Sequence, residues 1–388
     1  MTLIQYGDYF YLYILSIALL PAIILGILEK NIKYYGVFIS VLMVIIIIGI
    51  EKAFLVFLIG EIALIKIYSI IRKKTDNKYL YYLALFCSML PLILFKLTSL
   101  EHINIFGFVG ISYMNFKAIQ MIIEIYDETI KDVSILDTIY FFIFFTTLSS
   151  GPVDRSRRFE SDLNKKISRD EYISDYLIFG VKRILQGLIY KFVIANLISS
   201  LWMSKILSID MIHRKLNLLI NSWNYMYAYS MYLFFDFAGY TALAVGTSYI
   251  LGIRMPENFN KPFLSKDMKE FWTRWHISLS KWFGDYIYSR IVLNGMRNKI
   301  FKNRFIASHV AQMITMFVMG VWHGLKWYYI LYGIYQGLAL VGTDIFQRKS
   351  KFYKKHKKEK WFQYVQIIVT FHIACFGLLL FSGYYDPK

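Results

Sequence analysis

The chain lacks the residues from which disulfide frameworks and cysteine metal sites are built. It has only two cysteines, Cys87 and Cys375, in 388 residues. Both lie in apolar runs and are nearly 300 residues apart, so the sequence predicts neither a disulfide framework nor a metal-binding cysteine cluster. The seven histidines include no pair separated by three or four residues, which argues against a metal site on one helix face.

Motifs for nucleotide chemistry and for the common hydrolases are absent as well. The sequence contains no Gly-rich phosphate loop, no G-x-S-x-G turn and no H-E-x-x-H helix. We therefore expect no ATP-driven step and no serine hydrolase or zinc protease site. There is no Pro-rich linker, no low-complexity tract and no soluble segment beyond the polar loop 150–175. Residues 1–388 are accordingly predicted to form a single domain.

Apolar residues are abundant and are concentrated in long runs. They make up 57% of the chain, with 19% aromatics and a mean hydropathy of +0.45, whereas globular domains have roughly 45–50% apolar residues. The sequence predicts an all-α, polytopic integral membrane helical bundle with roughly nine to eleven membrane helices, plus re-entrant or interfacial helices. The candidate spans are residues 9–28, 35–50, 53–71, 79–97, 105–126, 135–149, 176–203, 216–250, 306–322, 325–346 and 361–384.

The formal net charge of +18 is distributed unevenly. Basic residues cluster in segments 72–78, 296–304 and 347–360, which the positive-inside rule assigns to the cytoplasm. The two termini are then predicted to lie outside. The first apolar run begins near Tyr9 without a preceding basic region or a following cleavage site, so we expect a retained first span. We interpret the charge as topology and attraction to anionic membrane lipids, and we predict no nucleic-acid partner.

Residues 261–285 are the most polar and aromatic stretch of an otherwise apolar chain. A single helix through this stretch would place Trp272, Trp275, His276 and Leu279 on one face. Two interpretations are open from these residues alone. The stretch is either an interfacial helix whose Trp and Lys side chains settle at headgroup level, or part of a functional site around His276.

A second histidine, His323, lies in an apolar run, where an ionisable group is costly and indicates function. Gly320 and Gly324 flank it at four-residue spacing, which lets another backbone approach closely. His323 is therefore either a cross-helix hydrogen-bonding residue on a packing face or a buried, neutral base that removes a proton from an alcohol or thiol.

A third polar feature is the carboxylate of Asp236 inside the apolar run 216–250. A buried carboxylate must be paired or protonated, and it indicates a polar interior. Structural pairing with an Arg or Trp donor and a direct chemical role are both compatible with this position.

Several of these motifs resemble the membrane-bound O-acyltransferase family. They are Phe271-Trp-Thr-Arg-Trp-His-Ile-Ser-Leu-Ser280, Trp322-His-Gly324, Asp236-Phe-Ala-Gly-Tyr240 and Ser150-Gly-Pro152. Within the family, the whole chain is most similar to the branch that transfers D-alanine towards lipoteichoic acid, and the motifs that carry this similarity are residues 110–116, 150–155, 266–271 and 296–304. The branch that acetylates alginate typically has an Arg where this chain has Gly284.

The resemblance implies an acyltransferase that passes D-alanine from a cytoplasmic carrier-protein thioester across the membrane. It implies His323 and His276 as catalytic residues, with a passage supported by Asp236, Trp272, Trp275, Arg274 and Trp322. The implied partners are an acidic D-alanyl carrier protein, other membrane proteins of the pathway on the extracellular side, and lipoteichoic acid as acceptor. No metal and no directly bound cofactor is expected, because the phosphopantetheine arm belongs to the donor.

A docking surface for the acidic carrier is expected within residues 286–304. Its predicted apolar centre includes Val292, Leu293 and Met296, and its predicted basic rim includes Arg297, Lys302 and Arg304. The competing interpretation is an interfacial helix that binds lipid headgroups.

Three alternative functions are weighed against D-alanyl transfer. The first is O-acetylation of an extracellular polysaccharide within the same family. The second is a non-catalytic transporter or flippase, which should have paired half-sequences with matching Gly and Pro breaks; none is visible. The third, a structural subunit of a cell-wall complex, leaves both His–Trp motifs without a role.

Overall fold

Helices account for the regular structure of the chain. The computed structural model describes residues 2–101, 103, 105–206 and 218–386. Within these ranges the only β-type pairing is an isolated antiparallel bridge between Phe259 and Trp275. The all-α prediction is therefore confirmed.

The helices form two compact units. The first unit comprises residues 1–188 and 239–256, and the second comprises residues 189–238 and 257–388. The helices α8 and α9 contribute residues to both. That the whole chain forms a single domain stays a prediction.

The first unit holds the N-terminal helices. They are α1 (Tyr9–Ile27), α2 (Lys33–Ile48), α3 (Lys52–Arg72), α4 (Lys78–Thr98), α5 (Ile111–Tyr126), α6 (Ile135–Ile143), α7 (Ser156–Leu163), the N-terminal part of α8 (Arg169–Ile206, which includes π-helical turns) and the C-terminal part of α9 (Leu218–Ile250).

Buried aromatic residues and polar groups fill this unit. The rings of Phe144 and Phe159 meet edge to face, with centroids 5.1 Å apart. The buried Lys117 Nζ of α5 donates to the carbonyl oxygen of Phe141 over 2.7 Å. The predicted span 135–149 is instead the short helix α6 followed by a 3₁₀ turn, all of it largely buried, so this segment is too short and too enclosed to be a crossing.

The second unit holds the C-terminal helices. They are α10 (Met268–Arg274), α11 (Ile277–Phe283), α12 (Ser289–Arg297), α13 (Arg304–His323), α14 (Trp327–Lys349), α15 (Lys351–His356) and α16 (Lys360–Phe381), with a 3₁₀ turn at Pro262–Leu264 and a π-helical turn at Gly284–Tyr288.

Six helices in the described part of the chain are long and apolar enough to cross a membrane: α1, α3, α4, α8, α13 and α16. Helix α2 is apolar but shorter. Helix α9 runs unbroken over 33 residues. The total number of crossings stays a prediction.

Candidate active site

Helix α13 carries His323 at its C-terminal end. The helix begins where the side chain of Asn303 accepts the backbone N–H of Ile306 over 2.9 Å. One turn before His323, α13 packs directly against the backbone of α14. A Cβ added to Gly320 would lie 2.5 Å from the carbonyl oxygen of Tyr329 and 3.0 Å from the Cα of Gly333. Glycine at position 320 therefore allows the two helices to approach closely, as the four-residue glycine spacing predicts.

The chain does not form one helix through residues 272–279, so that expectation is wrong. Helix α10 ends at Arg274 and α11 begins at Ile277, because His276 adopts a left-handed conformation with φ +44° and ψ +53°. This conformation is uncommon for a residue other than glycine and interrupts the helical hydrogen-bond pattern.

Residues 258–260 hold the interrupted backbone in place. The backbone N–H of Ile277 donates to the carbonyl oxygen of Asn258 over 3.0 Å, and the hydroxyl of Ser278 donates to its Oδ1 over 2.6 Å. The N–H of Asn260 donates to the carbonyl oxygen of Arg274 over 3.0 Å. These contacts lie on both sides of His276, so they fix the position of the backbone that carries its imidazole.

The two histidines line one small cavity of about 70 Å³. The ring centroids of His276 and Phe237 are 4.7 Å apart, and those of His323 and Phe381 are 4.9 Å apart; both pairs meet edge to face. The residues that line this cavity are Leu233, Phe237, Trp272, Trp275, His276, Leu279, Met319, His323, Tyr332, Leu378 and Phe381. The predicted convergence of Trp272, Trp275 and His276 is thus found, although it arises at a helix break.

The cavity is apolar apart from its histidines and a few ring donors. Of the residues that the structure describes, no Asp, Glu, Lys or Arg lines it. His276 lies outside the six membrane-length helices, and its Nε2 is buried without a hydrogen-bond partner among the described residues. Burial lowers the pKa of His276, and the nearby His323 lowers it further. His276 is therefore held as a neutral imidazole.

A larger apolar cavity of about 360 Å³ adjoins the first along α13. Trp272 and Met319 line both cavities. Gln312 and Thr315 of α13 line the larger cavity and carry buried side-chain oxygens without partners among the described residues. Gly284 also borders it, and a Cβ added there would meet no atom within 4 Å. The larger cavity is therefore mostly apolar, carries a few polar atoms without partners among the described residues, and shares part of its wall with the cavity of the histidines.

A polar network joins α10, α13 and α14. The buried carboxylate of Asp344 on α14 binds Lys269 of α10, His309 of α13 and Arg348 of its own helix. The distance from His309 Nε2 to Asp344 Oδ2 is 2.8 Å. Because α10 leads into His276 and α13 ends at His323, this network helps to set the relative positions of the two histidines.

Three predicted passage residues do not line the small cavity. Asp236 forms an ion pair with Lys191 instead of the expected Arg or Trp donor, and Arg274 pairs with Glu270. Trp322 packs beside His323, with ring centroids 4.6 Å apart.

The structure exposes most residues of the predicted docking surface and buries one of them. Leu293 and Met296 are 68% and 37% exposed, and the basic side chains of the predicted rim, Arg297, Lys302 and Arg304, are exposed. Val292 points the other way: it is only 9% exposed and packs against Ala307 and Ala311. We therefore remove Val292 from the surface.

Sequence reasoning missed six residues of the cavity wall. They are Leu233, Phe237, Met319, Tyr332, Leu378 and Phe381. Two of these flank Asp236 closely in α9, so the aromatic run around that carboxylate was the available signal. The described residues contain no group of three or more His, Cys, Asp or Glu side chains able to hold a metal ion.

Comparison with known proteins identifies the family of the chain. The model of the MBOAT, membrane-bound O-acyltransferase family matches residues 41–384. A teichoic acid D-alanyltransferase of Bacillus subtilis (strain 168) is 41% identical over 391 residues, covering 97% of this chain and 98% of that protein. A second, of Streptococcus thermophilus, is 39% identical over 98% of this chain and 95% of that protein. A probable alginate O-acetylase of Pseudomonas aeruginosa is 34% identical over 60% of this chain and 42% of that protein. This multi-pass cell-membrane protein belongs to the membrane-bound O-acyltransferase family.

Proposed function

We propose that the protein transfers D-alanine from a carrier-protein thioester to a hydroxyl group, towards lipoteichoic acid on the outer face of the membrane. The near full-length relatives named teichoic acid D-alanyltransferases support the acyl group and the final acceptor. The observation that carries the proposal is the pair His276 and His323 in one small cavity whose other lining residues are apolar or aromatic.

The proposed chemistry needs only one base. His323 accepts the proton of the acceptor hydroxyl while that oxygen attacks the thioester carbonyl carbon. The carbon–sulfur bond then breaks, and the departing sulfur takes the proton back from His323, so an ester and a free thiol are formed. A positioned base of this kind contributes about 10²–10⁴-fold in rate.

The neutral His276 is the second proposed catalytic residue. A neutral imidazole in an apolar cavity can accept or donate one hydrogen bond without introducing a charge beside His323. Its position opposite Phe237 fixes the ring, and accurate placement matters because a shift of about 1 Å can cost about 10²-fold in rate.

The larger cavity supports a route for the donor's phosphopantetheine arm. Helix α13 has 20 residues, which corresponds to a length of about 30 Å. The basic segment lies at its N-terminal end, the 360 Å³ cavity follows its middle turns, and His323 is its last residue. A carrier docked at the cytoplasmic end would thus present its thioester to a histidine near the opposite end of the helix.

The proposed carrier-docking surface consists of Leu293, Met296 and Ile300 with the basic side chains around them. Ile300 is 69% exposed, so the three residues offer an apolar centre at the surface. The exposed rim contains no acidic residue from Met296 to Arg304, which suits an acidic carrier protein. Extracellular-side membrane proteins of the same pathway are proposed to receive or relay the acyl group.

His323→Ala tests the chemistry. We expect D-alanyl transfer by the purified, folded protein to fall by about 10²–10⁴-fold. The matched control is His372→Ala, because the His372 ring binds the carbonyl oxygen of Ile368 and does not line the cavity. Near-normal transfer by folded His323→Ala protein would rule out the proposed base.

A paired substitution tests docking. Leu293→Asp together with Met296→Asp should abolish carrier binding, because apolar centres supply most of the energy of such interfaces. Leu264→Asp is the control, since Leu264 is 54% exposed elsewhere in the second unit. Binding is measured by titrating the protein with the purified carrier. Unchanged carrier affinity in the double variant would show that the carrier docks elsewhere on the protein.

O-acetyl transfer is the second candidate. The alginate O-acetylase relative supports it, but its match covers only 60% of this chain. Comparing transfer from D-alanyl and acetyl carrier thioesters distinguishes the two candidates.

A further inference from the structure

Trp272 lines both cavities, and its indole N–H has no acceptor within the described part of the chain. Trp272 is 7% exposed, and its Nε1 atom is buried without a hydrogen-bond acceptor among the described residues. Buried N–H groups are rarely left unpaired, because losing water without gaining an acceptor is unfavourable. An unpaired donor beside a cavity therefore points to a ligand atom that occupies the position when the cavity is filled.

The location of the ring identifies which ligand atom this is. Trp272 lines the 70 Å³ cavity with both histidines, and it also lines the 360 Å³ cavity proposed for the donor arm. The indole thus stands where the two cavities meet. The thioester carbonyl must come to this point, because its carbon has to reach the hydroxyl that His323 activates.

The ring is also held in place before any substrate arrives. At the start of α10, the carboxylate of Asp267 accepts the backbone N–H of Glu270 over 2.9 Å and the side-chain N–H of Gln347 over 2.8 Å. Lys269, on the same helix, binds Asp344 of α14. The ring of Phe271 packs edge to face against Trp272, with centroids 5.8 Å apart. A donor on such a helix needs little rearrangement during the reaction.

We propose that Trp272 is a catalytic residue whose Nε1–H donates a hydrogen bond to the carbonyl oxygen of the thioester as negative charge develops there. This inference rests on the proposed function. When the acceptor oxygen bonds to the carbonyl carbon, the carbon–oxygen π electrons move onto the carbonyl oxygen, and they return when the carbon–sulfur bond breaks. The indole keeps its proton throughout, so its role is electrostatic.

The surroundings strengthen such a bond. No charged side chain of the described residues lines the small cavity, so no fixed charge there screens the indole dipole. A fixed donor aimed at developing charge in a water-poor site contributes about 10²–10³-fold to kcat. It contributes much less to KM, because the ground-state carbonyl carries little charge.

Replacement of Trp272 by 3-benzothienylalanine tests the proposal, since sulfur replaces the N–H and the ring shape is kept. With D-alanyl carrier thioester as substrate, we expect kcat to fall by about 10²–10³-fold, with KM within about 3-fold of the wild-type value. Trp272→Phe should lose at least as much kcat. The same analogue at Trp202 is the control, because its Nε1 donates to Asn224 Oδ1 at an exposed position away from both cavities.

A second measurement separates catalysis from packing. The donor analogue is a carrier whose arm ends in a thioether, with CH₂ in place of the carbonyl. Its affinity should be the same for the wild type and the Trp272 variants. Weaker thioether binding, a rise in KM without loss of kcat, or a kcat within about 3-fold of wild type in folded protein would each overturn the assignment. Failure of the proposed function has a different signature: the wild type itself would transfer no D-alanine, or its transfer would not depend on His323.

Discussion

The glycine contact between α13 and α14 makes Gly320→Ala a demanding test of the site. The added methyl carbon would lie 2.5 Å from the carbonyl oxygen of Tyr329, about 1 Å closer than an ordinary contact. Its other close neighbour is the backbone of Gly333, so no flexible side chain can move away. The two helices must therefore separate by close to 1 Å, one turn from His323.

The expected effect on rate follows from that displacement. A misplacement of about 1 Å can cost about 10²-fold in rate, and overpacking of a tight contact costs about 1–3 kcal/mol in stability. We therefore expect Gly320→Ala to insert and fold, to melt at a lower temperature, and to transfer D-alanine about 10²-fold more slowly.

The assay compares D-alanyl transfer and thermal unfolding of the purified proteins. Gly342→Ala is the control on α14, because a Cβ there meets no atom within 4 Å. This control should keep the wild-type rate and stability. If Gly320→Ala transfers D-alanine within about 3-fold of the wild-type rate, then the position of His323 does not depend on this helix contact.

Three further predictions concern the surroundings of the histidines. Burial lowers the pKa of His276 in the folded state, so below about pH 6.5 the unfolded chain binds a proton that the folded chain does not. The contribution of His276 to the free energy of unfolding is therefore constant above that pH and falls below it, by about 2 kcal/mol at pH 5. Thermal unfolding at pH 7 and pH 5 should therefore show a smaller acid-induced loss for His276→Gln, and equal losses would contradict a buried neutral ring. Gly284→Phe should fill part of the 360 Å³ cavity and slow transfer from the carrier thioester, whereas Gly284→Ala should not; equal rates would mean that the donor arm takes another route. Asp344→Asn should lower the melting temperature and kcat together, because it removes the charge shared by Lys269, His309 and Arg348; an unchanged kcat would show that the network does not position the site.

Much of the site could be predicted from local sequence. His323 stands out because an ionisable residue between glycines in an apolar run is unusual, and the close packing at Gly320 follows from the same residues. The motif that contains Trp272, Trp275 and His276 is equally conspicuous in the sequence. Each of these signals lies within a few residues of chain.

The break at His276 could not be predicted in the same way. The apolar periodicity continues through residues 272–279, so local sequence favours a helix. The helix is interrupted by contacts with Asn258, Phe259 and Asn260, which the sequence does not connect to this stretch. Long-range contacts of this kind outweigh local propensity.

The side-chain directions in α12 could not be predicted either, for a different reason. Val292 and Leu293 are neighbours on an amphipathic helix, and either could have faced the surface. Burial of Val292 depends on Ala307 and Ala311, whose small side chains admit it. The walls contributed by Phe237, Tyr332 and Phe381 come from three separate helices, so no single sequence window contains them.

The left-handed backbone at His276 limits which residues can replace it in enzyme engineering. Its φ of +44° disfavours β-branched side chains strongly, whereas asparagine and glycine adopt this conformation readily. The variants of a substitution library at this position therefore fall into two groups. A loss of activity with Val or Ile combines backbone strain with the loss of the imidazole, whereas a loss of activity with Asn reports mainly on the imidazole. Asparagine is consequently the informative substitution, and it is also the replacement through which the position can be varied with the least disturbance of the surrounding chain.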